Sequence, residues 1–198
     1  MKKSILAILA LALTVTLSAQ TDESLKQMKE DINSSEKRVE QLHKLLDGKQ
    51  IDSGVEEIDR FSSSIKVAAA CAIENSDKLR NFYYRQIGET QEGMTEVVEK
   101  KPTAEDWVSL GTSVAGEGGL IADAEKNAEA AVKKLKELGE DAKNGNPMQK
   151  AKKAKQLKTV TDIVTNGKDA LPIILEESVA QGKAIKQIIE IVNSAKNL

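Results

Sequence analysis

VEEIDRFSSSIKVAAACAIENSDKLRNFYY, residues 55–84, decides the fold class. Val55, Ile58, Ser62, Ile65, Ala69, Ala72, Ser76, Leu79 and Tyr83 recur at alternating steps of three and four. That spacing gathers them into one stripe of an α-helix and makes the stripe a coiled-coil-like seam, whereas a strand would alternate every second residue. The pattern weakens but continues through Val97 and Val98, with Gly88 and Gly93 as bends, and Lys100-Lys101-Pro102 ends it. Basic residues complement a helix carboxyl end, and proline forbids continuation.

The same seam recurs on both sides. Upstream it runs Leu25, Met28, Ile32, Ser35, Val39, Leu42 and Leu46 to Asp47-Gly48. Downstream, Thr103 and Asp106 resemble a shortened capping box, opening a helix whose seam is Trp107, Leu110, Val114, Glu117, Ile121, Ala124, Ala128, Ala131, Leu135 and Leu138. Asn144-Gly-Asn-Pro147 supplies a turn with Asn146 as cap and Pro147 at the first helical position. A fourth segment carries Ala151, Ala154, Leu157, Val160 and Val164 to Asn166-Gly167, and a fifth, capped by Asp169, packs through Leu175, Ile185, Ile188 and Val192. The expectation is an all-α fold, an elongated up-down helical bundle of four to five long helices with coiled-coil-like seams. A turn at Pro102 would set Ala122–Ala131 opposite Ala68–Arg80, and Phe82, Tyr83 and Tyr84 beside Gly116–Gly119.

The first residues read as a secretory signal peptide over 1–19, with Lys2 and Lys3 ahead of an apolar run from Ile5 to Leu17. Residues 20–198 then form a single helical-bundle domain, periplasmic or secreted, starting at Gln20, or at Ala19 if cleavage follows Ser18. Cys71 is the one cysteine, so no lipid-bearing cysteine stands at the cleavage point and no internal disulfide forms. The chain holds 29 basic and 31 acidic residues; without Lys2 and Lys3 the balance is 27 against 31, about -4. A negative balance argues against bulk attraction to nucleic acid.

Chemistry-bearing patterns are sparse. Glu40 and His43 make half of the Glu-x-x-His pair used by di-iron bundles, but His43 is the only histidine and a full site needs a second pair. Glu89, Glu92, Glu96 and Glu99 line one helix face, which reads as a solvated surface. Lys150, Lys152, Lys153, Lys155 and Lys158 lack interleaved aromatics, which leaves anionic lipid or an acidic partner ahead of nucleic acid. Gly116-Glu-Gly-Gly119 has neither the preceding strand nor the lysine of a phosphate loop. No catalytic set, cofactor or metal is implied, and the reading is of a non-enzyme.

Trp107–Ala122 stands apart, with four glycines and a single charge, Glu117. Trp107, Leu110, Val114, Glu117, Leu120 and Ile121 are its candidate interaction or insertion residues, and Phe82, Tyr83 and Tyr84 are candidate pocket aromatics. Three uses compete: a buried helix, a bundle-end pocket, or a segment that enters a membrane. In overall design, a long bundle interrupted by a low-charge, glycine-rich stretch resembles the elongated α-helical pore-forming toxins. That likeness is architectural and implies a membrane-active protein as the alternative. The first expectation is an exported interaction protein whose partner is another envelope or extracellular protein, with self-association allowed.

Overall fold

In the computed structural model the described residues are 21–46, 52–87 and 100–195. They form four α-helices packed against one another, with no strand among them. These are α1 (Thr21–Leu46), α2 (Glu56–Ile87), α3 (Ala104–Asp141) and α4 (Pro147–Ala195). The leader, the Asp47-Gly48 stop and the Glu89–Glu99 face lie outside the described residues.

The helix starts follow the sequence signals. Thr103 and Asp106 cap α3 reciprocally: the Thr103 amide donates to Asp106 Oδ2 (2.7 Å), and the Asp106 amide donates to Thr103 Oγ1 (3.2 Å). Two orphan amides are thereby satisfied. The Thr103 amide and hydroxyl hold the Asp106 carboxyl below its ordinary range. Asn146 and Gln149 repeat the arrangement at α4, where the Gln149 amide donates to Asn146 Oδ1 (2.9 Å) and the Asn146 amide to Gln149 Oε1 (3.1 Å). Gly145 precedes them at φ 116°, a conformation that side chains rarely adopt.

One expected boundary is absent. Asn166-Gly167 does not end a helix and Asp169 does not cap one, because α4 runs unbroken for 49 residues with Pro172 inside it. Pro172 and Lys168 are exposed, so the helical hydrogen bond that proline removes lies on the outer side of α4 rather than against the core. Gly167 is buried and serves packing: a Cβ built there would lie 2.6 Å from the Phe61 ring. The glycine is a place of close approach rather than a stop signal.

The described residues divide into two compact units. The first comprises residues up to 39, 71–118 and from 176, and the second comprises 40–70 and 119–175. In the first, Ile32, Leu79, Tyr83, Trp107, Leu110, Val114, Ala184, Ile185 and Ile188 form a continuous core. In the second, Leu42, Ile58, Phe61, Ile65, Ile121, Val160, Val164 and Ile174 are buried with Ala68, Ala69, Ala124, Ala131 and Ala170.

Most seam positions whose burial is described reach the core, but Leu46, Ser62, Ala128, Leu135 and Leu138 are only half-buried, and α4 departs further. Ala151 and Ala154 are exposed, and burial along that helix begins only at Val160. The α2–α3 register also differs from expectation. Phe82 meets Trp107 edge-on at 5.2 Å, Asn75 meets Glu117, and Glu57 approaches Lys134. The pairing therefore centres well before Pro102, and the three aromatics do not lie beside Gly116–Gly119.

Candidate functional site

Every buried polar or charged side chain among the described residues belongs to the first unit: Ser35, Asn75, Ser76, Glu117, Glu177, Ser178 and Gln181. All four helices contribute through seam or near-seam positions. Glu177 is the centre. Its Oε1 accepts hydrogen bonds from the hydroxyls of Ser35 and Ser76 and from Gln181 Nε2 (3.3 Å), while its Oε2 accepts from Arg38 Nε at 2.6 Å. Gln181 Nε2 also reaches the Ala72 carbonyl (2.7 Å) and Ser76 Oγ (2.7 Å). A fully buried carboxylate with this many donors is satisfied, and its one cation lies within the same set.

Glu117 is held differently. Asn75 Nδ2 donates to its Oε1 at 2.5 Å, and Asn75 Oδ1 accepts from Ser113 Oγ at 2.8 Å. Its Oε2 has no hydrogen-bond partner among the described residues, and no cation pairs with it. Burial pushes the Glu117 carboxyl above its ordinary range, the Asn75 and Ser178 side chains pull against that push, and the Glu177 charge adds to it. Two carboxyls thus share the buried interior, one saturated and charge-paired, the other with its charged form disfavoured by burial.

The residues singled out from sequence sort accordingly. Trp107, Leu110, Val114, Glu117 and Ile121 are buried, Leu120 is half-buried, and Trp107–Ala122 is regular helix throughout. Tyr83 is buried, and Phe82 and Tyr84 are half-buried and pack against the same core. Arg85 covers the Phe82 ring, 5.6 Å from its centroid, and donates to the Lys100 carbonyl from Nε (3.0 Å) and Nη2 (2.8 Å). His43 is exposed, Glu40 is spent on Lys44 at 2.6 Å, and no acid, histidine and cysteine group of metal-site form occurs among the described residues. Cys71 is half-buried rather than enclosed, and burial raises its thiol pKa, which disfavours the reactive thiolate.

Glu177 and Gln181 escape a reading of apolar seams. Extending the Ile188 seam backwards gives Ala184, Gln181, Glu177, Ile174 and Ala170, the same three-four alternation. Two polar residues interrupting a seam are the available signal.

The second unit has a different character. A groove of about 190 Å³ is lined by Leu45, Leu46, Ser62, Ile65, Lys66 and Gly167 among others, below the roughly 300 Å³ at which small-molecule sites begin. Beyond it, residues 132–159 form a helical hairpin in which no side chain is fully buried. This stretch holds nine lysines and three acids, net +6 in a chain whose total is -2. Lys134 pairs with Glu137 (3.5 Å), and Lys153 with Asp141 (2.9 Å). No helix of the described residues is long and apolar enough to cross a membrane.

No family model matches the chain, and no curated protein or solved structure is significantly similar to it. The site must be read from its own chemistry.

Proposed function

We propose that this chain is an exported, non-enzymatic helical-bundle protein, its four helices in up-down order, that acts by presenting outer helix faces to another envelope or extracellular protein. What supports the reading is the disposition of Trp107–Ala122. Trp107, Leu110, Val114 and Ile121 are spent in the core, leaving Val108 as its one exposed large apolar side chain, and Glu117, its only charge, is enclosed beneath Asn75. Side chains so engaged are not on offer to a ligand. Releasing the segment into a bilayer would break the Asn75–Glu117 bond, empty the Trp107 site and carry an acid toward hydrocarbon, where charge is costly. The export half of the proposal rests on the leader-like residues 1–19.

Vesicle leakage tests the choice between presentation and insertion. The protein freed of its leader is expected to leave dye-loaded vesicles sealed, and Glu117→Leu, which removes an insertion penalty of up to about 3 kcal/mol, is expected to leave them sealed too. Dose-dependent leakage by the unmodified protein would reinstate the membrane-active reading. The intact mass of protein recovered from periplasm or medium should correspond to a start at Gln20 or Ala19; an uncleaved Met1 form in the cytoplasm would remove the export claim.

A further inference from the structure

We propose that the α3–α4 hairpin is a peripheral docking element for anionic lipid headgroups, engaging them tip first. Where it leaves the rest of the second unit is marked by two contacts: Lys134 approaches Glu57, and Gln156 Nε2 donates to the Ser53 carbonyl. Between these levels α3 and α4 are joined by the Gly145 turn, and the side chains from 143 to 152 are all exposed. Such a stretch contributes little to the core, so its composition answers to something outside the fold.

That composition has two parts. Met148, one residue beyond the turn, is 83% exposed, the most exposed of the large apolar side chains among the described residues. Around it the lysines form a collar rather than a stripe, because Lys150, Lys152, Lys153 and Lys155 point in successive directions about the helix axis at 100° per residue. At about 1.5 Å per residue, Lys150 and Lys152 lie within roughly 8 Å of Pro147 along the helix, close to one Debye length at physiological salt. Lys143 stands in the turn itself. Lys143, Lys150, Lys152 and Lys155 make no ion pair among the described residues, although acids outnumber bases in the chain as a whole.

A convex tip with an apolar point and a surrounding positive collar fits a soft, flat, negative surface. Methionine sits among headgroups, and lysines on every side of the shaft meet phosphates whichever way the hairpin rotates. Nucleic acid fits less well, since no aromatic residue lies between 132 and 159 to stack on a base. An acidic protein would more naturally meet a charged stripe than a collar. The docking does not depend on export, and it needs no opening of the bundle.

Sedimentation of the protein with vesicles of equal parts phosphatidylglycerol and phosphatidylcholine tests it, beside pure phosphatidylcholine and duplex DNA. Binding to the anionic vesicles only, released by high salt, is expected. Replacing Lys143, Lys150 and Lys152 together with glutamine should weaken partitioning by about 100-fold, from about fivefold per lysine near the surface. Lys155→Gln with Lys158→Gln, farther from the tip, should cost several-fold at most, and Met148→Ser about tenfold. These side chains are exposed, so unchanged thermal unfolding will show that the variants fold. No selective binding to anionic vesicles, tighter binding to DNA, or equal losses from the near and far lysine variants would each overturn the proposal. Docking leaves vesicles sealed, so sedimentation tests this inference and leakage tests the preceding one.

Discussion

The two units are built from stretches of the same four helices but solve the interior differently. The first closes around seven polar or charged side chains; the second buries only aliphatic residues, alanine, Phe61 and a glycine. Apolar packing is tolerant of partner and register, because one methylene substitutes for another at modest cost. Hydrogen-bonded ions are not. Arg38, Ser35, Ser76 and Gln181 satisfy Glu177 only if α1, α2 and α4 meet at one height, so the polar interior fixes register where the seams alone would permit a slip.

Breaking the polar interior should have the largest effect. Glu177→Leu takes the buried acceptor from Ser35 and Arg38 Nε, whereas Arg38 keeps Glu176, and Ser76 and Gln181 keep the Ala72 carbonyl. A loss of about 3 kcal/mol, the low end for a broken buried pair, is therefore expected in denaturant titration. A loss below about 1 kcal/mol, the worth of one ordinary hydrogen bond, would mean that the carboxylate is dispensable and that the contrast between the units is one of composition alone. In the second unit the corresponding weak point is a contact. Gly167→Ala forces a methyl against Phe61 and should destabilise by about 1 to 3 kcal/mol, with partial recovery when Phe61→Leu is added. Absence of recovery would show that the glycine answers to something other than the Phe61 ring.

A subtler effect separates the two carboxyls. Since the Glu117 carboxyl is raised in the fold, the native protein holds this proton to higher pH than the unfolded chain, whose ordinary value is near 4.5. Stability from this group therefore falls as pH rises above the unfolded value, and stays low beyond the folded one. Glu117→Gln keeps an acceptor for Asn75 and abolishes the titration. Thermal melts across this window should show the variant gaining on the parent as pH rises, and parallel curves would refute the assignment of that proton.

The smallest expected change is shared. Gly116 and Gly139 sit in α3, one in each unit, and a Cβ added at either would have no atom within 4 Å outside its own stretch of helix. Alanine at either should stabilise by about 0.5 to 1 kcal/mol. Equal gains at the two positions would confine the difference between the units to their interiors.

How much of this is legible in the sequence follows from the same contrast. Seam spacing finds Ile58, Ile65, Leu110, Val114 and Ile121 because apolar burial leaves a period in the sequence. The caps at Thr103 and Asn146 are legible because their hydrogen bonds are local. Glu117 shows itself only by standing on a seam, and its partner Asn75 lies 42 residues away, off the period of the α2 seam. Gly167 misleads, since a glycine for close approach and a glycine for termination are the same letter; the discriminating fact, a Phe61 ring against its Cα, is tertiary. The α2–α3 register fails for a related reason. Reckoning from Pro102 takes the proline as the centre of the pairing, and sequence period alone carries no information about where two seams meet.

The distance along the chain between Glu177 and its donors has a kinetic meaning. Ser35, Arg38 and Ser76 precede it by 142, 139 and 101 residues. During synthesis these donors emerge long before the acceptor that will join them, and loops of that length close slowly. A nascent chain of α1, α2 and α3 has hydroxyls and a guanidinium that must stay hydrated, so its first unit has no reason to collapse early. Completion falls to the final helix: the chain stays open until its carboxyl-terminal segment arrives, and closing it is among the last acts of folding.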